Sequence, residues 1–166
     1  AMNTSPTLRH DTVLLEESVD ALEITAGDTV VDATLGGAGH FRRMLSKLDA
    51  TGTLVGIDAD ADALLRTQEV VDEVPPAIRP TVHLLNGNFR DLESLLAEKG
   101  IVPDKVLFDL GWSAFHLSRG RGFSFQVDEP LLMTYGEPEE GTTAGDLVNH
   151  LSEASLADIL WSLGEE

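Results

Sequence analysis

A chain of 166 residues with 42% hydrophobic and 24% charged residues has the size and composition of one ordinary globular domain, which argues against intrinsic disorder. No apolar run approaches the ~20 residues that a membrane span requires, and the absence of cysteine excludes disulfides, thiolate metal sites and cysteine nucleophiles. Eleven Lys and Arg against 29 Asp and Glu give a net charge of −18, which repels phosphate backbones and excludes a general nucleic-acid binder. We interpret this surface as one adapted to high salt or high solubility, and we expect a cytoplasmic protein with no membrane partner.

The chain alternates short β-rich runs with amphipathic helical runs, a pattern that predicts a mostly parallel sheet with crossover helices. Residues 1–11 form a polar leader, in which Ala1-Met2 is typical of an expression remnant. Helices are predicted over 13–22, 41–48, 61–71 and 91–99, and strands over 29–31, 53–57, 81–85 and 105–108. In the third helix we expect Leu64, Leu65 and Val71 to face inward. Four strands with their crossovers make half of a doubly wound α/β fold.

The character of the sequence changes after residue 111. Residues 112–141 include several glycines and follow neither the helical nor the strand period, which predicts a long irregular loop of the kind that carries function. Residues 142–166 end in a predicted helix, whose apolar positions repeat at helical spacing between Ser152 and Gly164 as caps. These apolar positions are Leu156, Ile159, Leu160 and Leu163.

Polar residues follow every predicted strand. Asp32, Asp58 and Asp109 come after the first, second and fourth strands. The run Asn86-Gly-Asn-Phe89 follows the third strand. Because ligands of parallel α/β sheets bind at the carboxyl ends of the strands, these residues should converge on one nucleoside-binding edge. Asp58 also follows a glycine loop at the spacing expected of a carboxylate that binds a ribose diol.

That glycine loop distinguishes between two classes of nucleoside ligand. Its glycines, which would let a ligand approach the backbone, are Gly36, Gly37 and Gly39. The third glycine of a dinucleotide fingerprint is replaced by Arg42, and Asp32, just before the loop, suits an ammonium group better than a pyrophosphate. S-Adenosylmethionine carries such an ammonium, a ribose diol and an adenine, so we favour it over a nicotinamide dinucleotide. No set of residues has metal-ligand spacing, and no metal is expected.

Six segments of the chain carry short motifs that occur together in one known family. They are HDTVLLEE (10–17), VDATLGGAGH (31–40), GIDAD (56–60), NGNF (86–89), FDLG (108–111) and RGRGFSF (119–125). In this order they resemble the signatures of the small-subunit ribosomal RNA cytosine-N4 methyltransferases, the MraW/RsmH family. The resemblance implies a class I, Rossmann-like, S-adenosylmethionine-dependent methyltransferase core with an inserted helical domain, in a chain nearly twice this length. Strands one to four would lie in 12–111, an active-site loop in 112–141 and the start of the helical insertion in 142–166.

By this resemblance, individual residues receive roles. Together with Asp32, the cofactor-binding positions would be Gly37, Ala38, Gly39, His40, Asp58, Phe89, Asp109 and His116. Asp58 matches the acid that binds the ribose and Phe89 the neighbour of the adenine, while His116 stands where the family has a glutamine. Asp109 matches the acid beside the sulfonium and is the catalytic candidate, because a carboxylate that accepts an N–H of the cytosine amine makes its nitrogen a better nucleophile. A role limited to positioning the cofactor remains open for Asp109.

The methyl acceptor is less well specified than the cofactor. Arg119 and Arg121, interleaved with Phe123 and Phe125, are candidate contacts for small-subunit rRNA, and we expect Phe123 to belong to the core. Over 130–136 the chain reads PLLMTYG, where the family has two carboxylates and an arginine on the substrate side. This departure keeps open a methyltransferase of the same fold with another acceptor, and also a non-catalytic binding module.

The fourth strand would leave an open edge in a half-sheet. An apolar, unpaired strand attracts another strand, so we expect a homodimer formed near strand four and the C-terminal helix. We also expect the 166-residue chain alone to have little methyl-transfer activity on rRNA, because later strands would be missing and its charge opposes RNA association.

Overall fold

The computed structural model describes residues 12–111, 120–134 and 143–164, which fall into two compact units divided after residue 115. The helices of the first unit are α1 (Leu15–Ala21), α2 (Gly39–Leu45), α3 (Ala61–Asp72) and α4 (Leu92–Glu98), with a 3-10 turn at Phe89–Asp91. Its strands are β1 (Thr29–Asp32), β2 (Thr53–Asp58), β3 (Thr81–Asn86) and β4 (Lys105–Leu107). The second unit contains α5 (Ala144–His150) and α6 (Glu153–Leu163).

The four strands form one parallel sheet in the order β3-β2-β1-β4. In the register of this sheet Asp32 lies opposite Gly56 on one side and Leu107 on the other, and Asp58 lies opposite Asn86. The carboxyl ends of all four strands therefore meet at one edge. This arrangement confirms the predicted parallel α/β sheet and its Rossmann-like class.

Alternation along the strands builds a core on each face of the sheet. Val30 and Leu54 belong to one buried cluster, and Val31 and Val55, their neighbours in sequence, belong to another. The first cluster is completed by α1, α2 and α3, and the second by α4 through Leu96. Because side chains of a strand point alternately to opposite faces, consecutive valines and leucines serve both layers.

Several helices and strands begin or end at other residues than the sequence predicts. Helix α1 begins at Leu15, later than predicted, because Leu14 has a φ of 50° and caps the helix in the left-handed region. Helix α2 begins earlier, at Gly39, and ends at Leu45. The expectation that Leu65 faces inward is wrong: its exposed fraction is 65%, and the buried positions of α3 are Ala63, Thr67, Val70 and Val71. Strand β4 ends at Leu107, so Phe108 follows the strand and does not belong to it.

The second unit is described by itself. Its predicted terminal helix is confirmed as α6, with Ser152 as N-cap accepting from the Ser155 N–H and with Gly164 at its end. Helix α5 begins with a reciprocal capping box between Thr143 and Asp146, a signal that is visible in the sequence. Neither helix contains a buried residue. Phe123 is buried, as expected.

None of the helices in the described ranges is long and apolar enough to cross a membrane.

Candidate functional site

The strand ends bring three carboxylates to one edge of the sheet. Asp32 and Asp58 are the last residues of the neighbouring strands β1 and β2. Asp109 follows two residues after β4, the other neighbour of β1. At the end of β3, Asn86 donates its Nδ2 hydrogens to the carbonyl oxygens of Asp58 at 3.0 Å and Ala59 at 3.2 Å. The predicted convergence of polar strand ends is therefore present in the fold.

The loop between β1 and α2 takes its shape from three small residues. Gly36 has a φ of 49° and Ala38 a φ of 63°, so both occupy the left-handed region, which a side chain disfavours. At Gly39 an added Cβ would lie 1.8 Å from Oγ1 of Thr12. The expectation that these glycines clear space for a ligand thus needs a correction at Gly39, because there the space is filled by the protein itself. The exposed loop position is Gly37.

Asp58 is held by backbone donors on both of its oxygens. The Gly36 N–H donates to Oδ2 at 2.9 Å, and the Asp60 N–H donates to Oδ1 at 2.9 Å. Asp60 is in turn the N-cap of α3, accepting from the Asp62 N–H. The carboxylate is therefore fixed in orientation, yet each oxygen retains a lone pair for a further donor such as a ribose hydroxyl.

Asp32 is an acid whose pKa is raised by its surroundings. Its side chain is fully buried; Oδ1 accepts from the Thr34 N–H at 3.1 Å, and Oδ2 has no hydrogen-bond partner among the described residues. Burial, together with the nearby charges of Asp58 and Asp109, raises the pKa of Asp32 to about 7 against the lowering effect of the Thr34 and Phe41 backbone N–H groups. A buried carboxyl without a counter-charge favours either a proton or a bound cation.

His40 and Asp109 form a second polar pair at this edge. Nδ1 of the buried His40 lies 3.6 Å from Oδ2 of Asp109, whose side chain is nearly half exposed. The Asp109 N–H donates to Oγ1 of Thr34 at 2.8 Å, so Thr34 connects Asp109 with Asp32. The second ring nitrogen of His40, Nε2, is buried and has no partner among the described residues. Thr34 thus holds the backbone of Asp109, while the carboxylate of Asp109 stays accessible.

Two phenylalanines provide an apolar surface beside the acids. Phe89 and Phe108 meet edge to face, with ring centroids 6.0 Å apart and an interplanar angle of 81°. Each is more than two-fifths exposed. Exposed rings of this kind offer a planar ligand a stacking surface. Phe89 was predicted here, whereas Phe108 was assigned to the fourth strand and its pairing was missed.

Arg66 was also missed from the sequence. Its Nη2 donates to the carbonyl oxygen of Gly36 at 3.1 Å and lies 3.6 Å from Oδ2 of Asp60. The available signal was that Arg66 is the one cation in the α3 sequence ADALLRTQEVVD. No periodicity argument assigns such a residue to a site.

The described RNA-contact candidates belong to the second unit. Arg121, in the second unit, donates its Nη1 hydrogen to the carbonyl oxygen of Thr134 at 3.1 Å. Phe125 is fully exposed. His116 and Arg119 lie outside the described residues. Within the ranges that are described, no group of three His, Asp or Glu side chains could hold a metal ion.

The parallel sheet with acids at its strand ends has the Rossmann-like architecture of methyltransferases. It resembles the solved structure of a protein assigned as an rRNA-methylase from Clostridium thermocellum, with a TM-score of 0.50 and 25% identity, over 61% of this chain and 53% of that chain. The sequence profile of the MraW methylase family matches residues 7–166, so the chain belongs to that family.

Two relatives illustrate the extent of the match. The chain is 40% identical over 161 residues to ribosomal RNA small subunit methyltransferase H of Koribacter versatilis, covering 95% of this chain and 50% of the relative. It is 41% identical over 163 residues to the protein of the same name from Deinococcus radiodurans, covering 97% and 48%. The chain thus spans about half the length of these relatives.

Proposed function

We propose that this chain carries the cofactor-binding part of an S-adenosylmethionine-dependent methyltransferase that acts on the N4 amine of a cytidine in small-subunit rRNA. The observation that carries the proposal is the fully buried Asp32, whose Oδ2 has no partner among the described residues and whose pKa is raised to about 7 beside the glycine loop. A ligand with an ammonium group supplies the counter-charge that this carboxyl lacks. The family match and the names of the relatives support the reaction class.

The residues present fit S-adenosylmethionine. Asp32 would face its ammonium, Asp58 its ribose diol and Phe89 its adenine, with the loop over 37–40 along the amino-acid part. His116 is proposed as a further contact. When bound, S-adenosylmethionine supplies an electrophilic methyl group on a cationic sulfur. The acids at the strand ends would attract that positive charge.

Asp109 is proposed to act on the acceptor amine. Its exposed carboxylate would accept an N–H of the amine, so that the lone pair on nitrogen localises and the growing positive charge is stabilised. The carboxylate, or a water beside it, would take up the amine proton that is released when the amine is methylated. His40, 3.6 Å away, would orient Asp109. If Asp109 only positioned the cofactor, Asp109→Asn would lower kcat/KM for the cofactor by the same factor by which it weakens cofactor binding.

The methyl acceptor and the partners are proposed from the family match and from the sequence of the loop. Arg119 and Arg121 would contact rRNA phosphates, and the cytoplasm is where ribosomal subunits would be met. The altered segment 130–136 supports, as the second candidate function, a methyltransferase of the same fold with another acceptor. The homodimer near β4 and α6, and the low activity of the 166-residue chain alone, stay predictions.

Calorimetry with S-adenosylmethionine, S-adenosylhomocysteine and NAD tests the cofactor. We expect binding of the first two and not of NAD. Asp58→Ala should weaken binding by about 1.5–3 kcal/mol, or about 10- to 150-fold, as for hydrogen bonds to a charged group. Asp49→Ala is the matched control, because Asp49 also accepts a backbone N–H, from Thr51, but in the turn before β2. Tight NAD binding without adenosyl-ligand binding would refute the proposal.

A further inference from the structure

Four residues at the strand-end edge form a closed ring of contacts that includes one cation. Starting at Gly36, its N–H donates to Asp58, and the Asp60 N–H donates to the other oxygen of Asp58. The carboxylate of Asp60 faces the guanidinium of Arg66, and this guanidinium donates a hydrogen bond to the carbonyl oxygen of Gly36, which closes the ring. The ring therefore joins the loop after β1, the end of β2 and the first two turns of α3.

The contacts of the ring hold Gly36 and Asp58 together. Gly36 is held from both sides of its peptide, by Asp58 at its N–H and by Arg66 at its carbonyl oxygen. Since Gly36 has a φ of 49°, its conformation is not imposed by a side chain and depends on such contacts. Arg66 also places a positive charge beside Asp60, two residues from Asp58, in a part of the molecule that is otherwise acidic.

We propose that Arg66 is a positioning residue for the adenosyl cofactor: it fixes Gly36 and Asp60, and through them the orientation of the Asp58 carboxylate toward the ribose diol. The inference rests on the proposed function, in which Asp58 binds that diol. Arg66 itself does not touch the ligand. Three quarters of its side chain is shielded from solvent, as is most of Asp60, so the contact is of the partly buried kind that holds its geometry.

Arg79 offers a control against the same helix, with similar exposure of the arginine but a more exposed acid partner, Asp72 at 65% against Asp60 at 7%. Its Nη1 donates to the carbonyl oxygen of Val71 at 3.2 Å and lies 3.6 Å from the carboxylate of Asp72, and its side-chain exposure is 28% against 25% for Arg66. These contacts are at the C-terminal end of α3, away from the strand ends. Arg66→Met and Arg79→Met thus remove the same kinds of interaction at opposite ends of one helix.

The test combines affinity with a readout on the free protein. S-Adenosylhomocysteine binding by calorimetry should weaken about tenfold in Arg66→Met and less than twofold in Arg79→Met, with partial recovery in Arg66→Lys. Combined with Asp58→Asn, the Arg66→Met loss should shrink to less than threefold, because both changes act on the same carboxylate. In the ligand-free protein, amide exchange of the Gly36 N–H should accelerate in Arg66→Met and stay unchanged in Arg79→Met. Melting curves show whether each variant is folded. If Arg66→Met does not fold, the same measurements are made on Arg66→Lys.

The outcomes separate this inference from the proposed function. If the unsubstituted chain binds neither adenosyl ligand, the proposed function fails, while Gly36 exchange still decides whether Arg66 holds the loop. Unchanged Gly36 exchange in Arg66→Met overturns the positioning role, whatever happens to affinity. Equal affinity losses in the Arg66 and Arg79 variants, or additive losses with Asp58→Asn, overturn it as well.

Discussion

Charges are arranged differently on the helices and at the strand ends of the first unit. Around α2, cations face acids of another helix: Arg43 pairs with Glu16 at 2.7 Å, and Lys47, just after the helix, with Asp20 at 2.9 Å. At the strand ends three acids converge, and the nearby Arg66 is engaged with Asp60 and Gly36. The helix pairs need no further group, whereas in the proposed function the strand-end acids receive one.

The two regions also differ in what their charges cost. Exposed pairs gain little, because water solvates both partners before and after folding. A buried acid such as Asp32 loses that solvation, and the neighbouring charges of Asp58 and Asp109 oppose its ionisation further. The strand-end edge is therefore maintained at the expense of stability, which is typical of binding sites.

The largest expected effect comes from titrating Asp32. Its pKa is about 7 in the folded chain against an ordinary value of 3.8, so between these values the folded state keeps a proton that the unfolded state has lost. The free energy of unfolding should therefore fall as the pH rises from about 4 to about 7, by at most about 1.4 kcal/mol per pH unit, and then level off. Denaturant unfolding at half-unit pH steps measures this slope, and Asp32→Asn should remove it.

A ligand provides the second arm of the same experiment. Binding of S-adenosylmethionine near pH 6.5 should release protons, because its ammonium would favour the ionised form of Asp32. Calorimetry in buffers of different ionisation enthalpy counts them. Acids with lowered pKa values, such as Asp20 and Glu73, add stability as the pH rises through their ordinary values of 3.8 and 4.5, so the slope of Asp32 is taken as the difference between the unsubstituted chain and Asp32→Asn. A stability profile from pH 4 to 7 that Asp32→Asn leaves unchanged would contradict the raised pKa of Asp32.

Adding a side chain at Gly39 should have an intermediate effect on the free energy of unfolding. Gly39→Ala places a Cβ 1.8 Å from Oγ1 and 2.9 Å from Cβ of Thr12, so either the loop that contains Gly39 or the segment that contains Thr12 must shift. We expect a loss of about 1–3 kcal/mol in the free energy of unfolding, the usual range for overpacking. Thr12→Gly combined with Gly39→Ala should recover most of it. If the double variant is no more stable than Gly39→Ala, the contact with Thr12 is not the cause.

Much of the fold could be predicted from the sequence, because strand alternation and strand-end polar residues follow local rules. Leu65 shows where those rules stop: a leucine at helical spacing was assigned inward, but the packing of α3 uses the smaller Ala63 and Thr67 instead. Phe108 and Arg66 were missed for another reason. The contacts of Phe108 with Phe89 and of Arg66 with Gly36 join residues that are far apart in the chain, and no local pattern specifies such pairs.

The smallest expected effect belongs to the exposed helix pairs, for which Arg43 and Glu16 serve as the example. A double-mutant cycle with Arg43→Met and Glu16→Gln should give a coupling of about 0.2–1 kcal/mol, falling as salt is added. The stability of the whole chain should rise over the same salt range, because screening reduces the repulsion within a net charge of −18. The pH slope from Asp32 should persist in salt, since buried charges are screened much less. If salt abolished that slope while leaving the Arg43–Glu16 coupling intact, the distinction between the two regions would be wrong.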